Sequence, residues 1–535
     1  MVSLSRRQLL GSALGVAGVV AGASLWDLQP RRAHWTAIVV GSGYGGGVSA
    51  LRLGEAGVRT LVLEKGRHWN VPDEDGRRFS KMLPADSRAA WFSEVPPSLV
   101  SSYQGLSVED VARNNPSPQP VQAGICEKVV HGAHSVFRGV AVGGGSMVNA
   151  GIAAVPTPAQ VHSTFPDIGS SEFLGTYVER ALAGLRINYR DMAWFERTPW
   201  FQYARVGRQY AANAGYPVDY NGSSYSFDYM KGEEAGAVPR SAFDFEQQFG
   251  NNHGRMGSVD QTYIAAALAT GNVSLRPLTE VISVRREDRG YVVTVREIDR
   301  WGNELGREEL GCDQLFLAAG VLGTNHILLR ARDSGALPDL SEEIGRGYGN
   351  NGDVMVSHML KESDPAGTQQ SLMGMINLDG RADPDNPVYA SIFSIPLPVE
   401  THALGYYAMV ATGDRADIGY DKGADSISID WPEAHTEHLQ ARAAAVFDRI
   451  TGRNEVDYRD DIFSGQVFAP NTVHPLGGVI RGAATDNFGR VKGYPNLFVN
   501  DASLIPGHLG CNPFVSITAL AERNVEAILQ DRRED

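Results

Sequence analysis

The stretch Thr36 to Gly66, TAIVVGSGYGGGVSALRLGEAGVRTLVLEKG, leaves a chain few folds to choose from. It opens with an apolar strand, Ala37-Ile38-Val39-Val40. G-x-G-x-x-G follows at Gly41, Gly43 and Gly46, then an Ala/Leu-periodic helix that ends at Gly57. A second strand, Thr60 to Leu63, delivers Glu64. Strand, turn, helix, strand and acid at these offsets make a complete βαβ dinucleotide fingerprint. Gly41 makes the tight turn. Gly43 lets backbone N–H groups approach a pyrophosphate at the helix N-terminus, where the helix dipole favours anions. Gly46 lets helix and strand pack closely, and Glu64 can accept hydrogen bonds from a ribose diol. A purely structural glycine turn would not need the second strand and its acid.

At 535 residues the chain exceeds one ordinary core, so two or more domains are expected. The net charge of −14 argues against nucleic acid or an anionic membrane surface as partner. Cys126, Cys312 and Cys511 have no metal-ligand spacing and read as small buried hydrophobes, so no metal site is expected. Residues 1–32 read as a twin-arginine (Tat) export signal. Arg6 and Arg7 precede a glycine-rich apolar run too weak for a confident membrane span. The expected location is secreted or extracytoplasmic.

The mature part reads as alternating contributions to two domains. Residues 33–160 and 251–344 build a nucleotide domain, which 466–535 completes. Residues 161–250 and 345–465 build a substrate domain on an antiparallel sheet. Within the first block, Arg67 to Gln122 is irregular and aromatic. It is either a loop over a ligand or a surface excursion. Gly143-Gly144-Gly145, followed by Ser146 and Asn149, lets backbone approach a flat ring, since side chains are absent there. Val273 to Leu317 reads as a strand meander closing on Ala318-Ala319-Gly320. Val388–Ile395 and Ala403–Ala411 alternate as antiparallel strands, and 439–450 as a helix. His474-Pro475 and Asn512-Pro513 stand out near the end. Taken alone, Asn512 could instead be the cap of the final helix, expected over 515–529.

Six segments carry a family resemblance in the same order: GSGYGG at 41–46, VGGGS at 142–146, FGNNHG at 249–254, HPLGG at 474–478, SLIPG at 503–507 and NPFV at 512–515. The chain resembles the glucose–methanol–choline (GMC) family of FAD oxidoreductases from about Trp35 to Leu529. Within that family it looks most like the actinobacterial cholesterol oxidases that hold FAD non-covalently. The resemblance implies an α/β fold, α+β overall, with a Rossmann-type FAD domain and a substrate domain. It places Gly41, Gly43 and Gly46 at the pyrophosphate, Glu64 at the ribose and Val281 at the adenine. Gly145, Asn149 and Gly151 would line the flavin, with Asp501 and Phe514 bracketing it. His474 and Asn512 would be the catalytic pair. Imidazole titrates near neutral pH and can take the proton of an alcohol while hydride leaves its carbon.

The departures fall in the substrate pocket. Ser391, in Tyr389-Ala390-Ser391-Ile392, stands where the steroid oxidases carry a glutamate that shuttles a proton during isomerisation. Asn471 and Val473 replace aromatics before the histidine, and Ile152 replaces a flavin-adjacent methionine. The expectation is FAD-dependent oxidation of a hydrophobic secondary alcohol, steroid-like or polyketide-like, to a ketone. Molecular oxygen would be the acceptor, isomerisation would be lost, and the protein would be monomeric with at most transient membrane contact. The alternative is a secondary-metabolite tailoring flavoenzyme, a dehydrogenase or redox-neutral cyclase/isomerase, on the same fold.

Overall fold

The computed structural model describes residues 32–82, 84–94, 102–103, 106–107, 120–132, 134–369, 375–395, 397, 399–463 and 466–534. The export segment with Arg6 and Arg7 lies outside the described residues, apart from Arg32. Among the described residues no helix is long and apolar enough to cross a membrane.

The fingerprint forms as its residue types dictate. Strand β1 (His34–Val40) is followed by helix α1 (Tyr44–Glu55) and strand β2 (Thr60–Leu63). From Ala37 to Val40 and along all of β2 the side chains are buried, as in a strand covered on both faces. Gly57, at φ +74°, reverses the chain after α1 in a conformation that costs glycine little. Strands β3 (Val273–Arg276), β4 (Thr279–Arg286), β5 (Tyr291–Ile298) and β6 (Glu304–Leu317) complete most of a sheet ordered β3-β2-β1-β6-β5-β4. Helix α2 (Gly320–Asp333) starts where β6 ends.

The meander expected over Val273 to Leu317 holds only for β4, β5 and β6, which are antiparallel. Strand β3 instead runs parallel to β2 at the far side of the sheet. The cause is local. Pro277 has no N–H to continue a ladder, and Leu278 sits at φ +53°. The chain turns there, and Leu278 N–H and Thr279 N–H donate to the carbonyls of Gly66 and Glu64.

A second sheet is antiparallel. Its strands are β7 (Asp353–Met359), β8 (Asn377–Asp379), β9 (Val388–Phe393), β10 (Ala403–Val410) and β11 (Phe468–Pro470), in the order β11-β7-β10-β9-β8 with Val218–Asp219 beyond β8. Phe468–Pro470, grouped by sequence with the nucleotide domain, adds to this sheet instead. Helix α3 (Glu433–Asn454) is longer than the expected 439–450. Strand β12 (Leu497–Val499) returns to the first sheet beside β6, and helix α4 (Phe514–Glu534) packs along α1.

The second sheet has two buried faces with different tasks. Val354, Val356, Ala390, Ile392, Tyr406 and Ala408 pack with Leu439, Val446 and Phe447 of α3 and with the Gln202–Asn213 helix. Met355, Tyr389, Phe393, Tyr407 and Met409 face the other way, into the core shared with the nucleotide domain. The period of two along each strand sorts the side chains between these surroundings.

Candidate active site

One cavity of about 370 Å³ runs from the fingerprint to the second sheet. At its nucleotide end it is lined by Gly41, Gly43, Glu64 and Val281. Farther in come Gly145, Asn149, Gly151, Asp501 and Phe514, and at the sheet end Ile152, Ser391, Val473, His474 and Asn512. The residues singled out from sequence therefore converge, with three exceptions. Gly46 does not line the cavity: a Cβ there would sit 2.1 Å from the Gly41 carbonyl oxygen, so this glycine serves helix–strand contact. Tyr389 and Asn471 are also off the cavity. The Tyr389 hydroxyl donates to Asp219 Oδ2 at 2.8 Å and accepts from Asn221 Nδ2 at 2.6 Å, which holds the ring aside. Asn471 lies behind Tyr407, its Oδ1 3.3 Å from that hydroxyl. None of the described residues between 66 and 122 lines the cavity. Trp69, Phe79 and Met82 build a separate small core with Phe245 and Phe249, so the described part of this excursion packs against that section of the chain rather than lining the cavity.

The nucleotide end is held by short polar ties. Ser42 donates to Glu64 Oε2 through its backbone N–H at 3.0 Å and its hydroxyl at 2.7 Å, and Gly66 N–H donates to Oε1 at 2.8 Å. Burial pushes the Glu64 carboxyl up, and these donors oppose the shift. The Ser42 hydroxyl also accepts from Gly143 N–H at 3.1 Å, which fastens the triple-glycine loop to the fingerprint. Asp501 accepts from Gly320 N–H at 2.9 Å and Thr324 Oγ1 at 2.6 Å, and from Ser503 N–H at 2.8 Å. Tyr44 and Phe514 stack with centroids 5.2 Å apart. A bulge in β4 between Val281 and Ser283 breaks the ladder beside Val281.

These residues fit FAD. An added Cβ at Gly43 would meet nothing nearer than 3.9 Å, and one at Gly145 or Gly320 nothing within 4 Å, although all three glycines line the cavity. Their missing side chains leave cavity space rather than protein contact, as a cofactor cradle requires.

The sheet end holds a residue that sequence reasoning missed. His474 Nδ1 lies 2.9 Å from Oδ1 of Asp353, a fully buried carboxylate at the start of β7. Asp353 Oδ2 accepts from Tyr407 OH at 2.9 Å and Thr472 Oγ1 at 2.6 Å, and from the backbone N–H groups of Val473 and His474 at 3.2 Å. Burial keeps the Tyr407 phenol well above its ordinary range, so it remains a donor. The carboxylate can only accept, which assigns the Nδ1–H tautomer to His474 and leaves a lone pair on Nε2. Asn512 Nδ2 stands 3.4 Å from that Nε2. Asn512 Oδ1 is buried without a partner among the described residues. A base with a fixed tautomer and an adjacent unpaired carbonyl oxygen can take a proton from a hydroxyl while orienting the carbon that bears it. The one sequence signal for Asp353 was an acid directly before the apolar run Val354-Met355-Val356.

Residues 351–464 match the family model described as GMC oxidoreductase, C-terminal. The chain is 24% identical over 571 aligned positions to a cholesterol oxidase of Mycobacterium tuberculosis, covering 91% of this chain and 89% of the relative. A cholesterol oxidase of Acinetobacter baumannii is 23% identical, with 92% and 94% covered. Among solved structures, pyridoxine 4-oxidase from Mesorbium loti shares the fold at a TM-score of 0.63 and 18% identity, over 93% of this chain and 99% of that one.

Proposed function

We propose that this chain, which belongs to the GMC oxidoreductases, oxidises the secondary alcohol of a hydrophobic small molecule to a ketone at the His474 end of its cavity. The observation that carries this reading is the convergence of His474, Asp353 and Asn512 in the cavity that the nucleotide fingerprint opens into. When bound, FAD supplies the two-electron acceptor for the hydride leaving the alcohol carbon, and the relay of those electrons to oxygen as hydrogen peroxide. His474 Nε2 takes the hydroxyl proton. Asp353 keeps Nδ1 protonated and stabilises the imidazolium as it forms, the arrangement by which a carboxylate supports a histidine base. Asn512 Nδ2, beside that Nε2, donates to the reacting oxygen as its proton leaves. The apolar side chains Ile152 and Val473 exclude water from the carbon undergoing oxidation.

The cofactor is read as non-covalent. Cys126 lines the cavity, but burial pushes its thiol up to about 12, so it is no nucleophile at neutral pH. We read the protein as an exported monomer. The test is the purified yellow protein with a panel of sterols and macrolide alcohols, read by anaerobic flavin bleaching and by peroxide release in air. Acid precipitation should send all the flavin into the supernatant. A protein whose flavin is bleached by none of the alcohols defeats the reading.

A further inference from the structure

We propose that the substrate carries a second neutral oxygen function, a hydroxyl or carbonyl, which docks on Ser391 of the second sheet. The proposal rests on the alcohol-oxidising reading above and deepens it.

The register of the sheet lays out the wall. Met355 pairs with Tyr407, Tyr407 with Ser391, and Ser391 with Asn377, so these four side chains form one row across β7, β10, β9 and β8 on a common face. Tyr407 stands beside His474, with ring centroids 5.7 Å apart. Ser391 is one strand farther along and Asn377 two, roughly 5 and 10 Å at ordinary strand spacing. Ser391 lines the cavity, and Asn377, the next in the row, does not. Ser391 is 1% exposed and Asn377 is 0% exposed. Yet among the described residues neither Ser391 Oγ nor either polar atom of the Asn377 amide has a hydrogen-bond partner.

Buried polar groups in native proteins are nearly always paired, because an unpaired one is held at a cost to stability. At the cavity wall, the unpaired Ser391 hydroxyl points to a partner from outside the chain. It is neutral and can donate and accept, so its complement is an uncharged oxygen rather than a carboxylate, phosphate or ammonium. A plain hydrocarbon skeleton would strand it. This wall therefore recognises a polyfunctional alcohol.

The experiment measures equilibrium binding to the flavin-loaded protein under anaerobic conditions. It compares a secondary decyl alcohol with decanediols that carry a second hydroxyl progressively farther along the same chain. One added hydrogen bond to an otherwise unpaired buried group should tighten binding by about tenfold at the matching spacing. Ser391→Ala should lower affinity for the best diol about tenfold more than for the mono-alcohol. Diols that bind no better than the mono-alcohol at every spacing, or do not bind at all, overturn the proposal. So does a Ser391→Ala variant that weakens both ligands equally. Preference is read from binding alone, so ligands that bind without ever bleaching the flavin would sink the oxidase reading and still decide this one.

Discussion

Asp353→Asn isolates the part of the site that the geometry makes most specific. Asparagine matches aspartate in shape, so the question is which end of its amide faces His474. At the Oδ2 position two donors cannot turn round: the backbone N–H groups of Val473 and His474, both 3.2 Å away. An NH₂ placed there would face them donor to donor. The amide oxygen must take that position, which turns the NH₂ toward His474 Nδ1. Nδ1 then accepts, the ring proton moves to Nε2, and the base presents a donor to the hydroxyl it should deprotonate. Losing a positioned base costs on the order of 10²–10⁴-fold, about 3–5 kcal/mol of barrier. FAD content should hold, because the Ser42, Glu64 and Gly143 ties lie at the other end of the cavity. Stopped-flow bleaching of the flavin by saturating alcohol, without oxygen, reads the step directly. The deficit should shrink at alkaline pH, where hydroxide competes for the proton, which a merely structural role for Asp353 would not produce. A variant that keeps its flavin and bleaches within threefold of wild type would refute the tautomer argument.

His474→Ala should lose a similar factor in flavin reduction with unchanged yellow colour, while Asn512→Leu should slow reduction and also move the flavin potential. Wild-type rates in either variant would remove that residue from the reaction. Burial lowers His134 to about 4, His358 to about 3 and His508 to about 4, so all three are neutral when folded and take up protons on unfolding below about pH 6.5. Their contribution is complete above that pH and is lost as pH falls toward 4, on the order of 1–2 kcal/mol each by pH 5. Tm should drop across this range, and a flat profile would contradict it. Offered a Δ5-3β-hydroxysteroid that it accepts, the enzyme should release unconjugated ketone, because the Ser391 hydroxyl has no useful pKa as a carbon base. Conjugated-enone absorbance should rise faster only in Ser391→Glu, and a wild-type rate above that of buffer would reveal another base. Changing Arg6 and Arg7 together to lysine should leave the protein inside the cell, and undiminished secretion would reject the export reading.

The βαβ unit was legible because its constraints are local: turn glycines, helix and acid lie within thirty residues and each has one plausible physical reason. Asp353 was not, because what distinguishes it is the 121-residue separation from His474 that the fold closes, and a lone acid before an apolar run has no local mark. The second sheet was legible as alternating strands, but alternation does not say which parity meets the cavity. Tyr389 and Ser391 share a face, and the Asp219 and Asn221 hydrogen bonds, with the Arg381 guanidinium over its ring, draw Tyr389 away from it. The placement of β3 was hidden for a similar reason. Pro277 marks a break, but the partner across the break belongs to a strand some two hundred residues earlier.

The two-faced sheet sets limits on how such a chain can diverge. Along β9 the residues Val388, Ala390 and Ile392 are committed to the helices behind, while Tyr389, Ser391 and Phe393 face the side where chemistry happens. Inserting or deleting one residue would exchange the two sets, placing a serine among close-packed aromatics and an isoleucine beside the base. Ligand preference in this lineage can therefore drift by point changes at every second position of the wall. Changes in length are confined to the loops beyond the strand ends, and the strands themselves keep their count while their chemistry turns over.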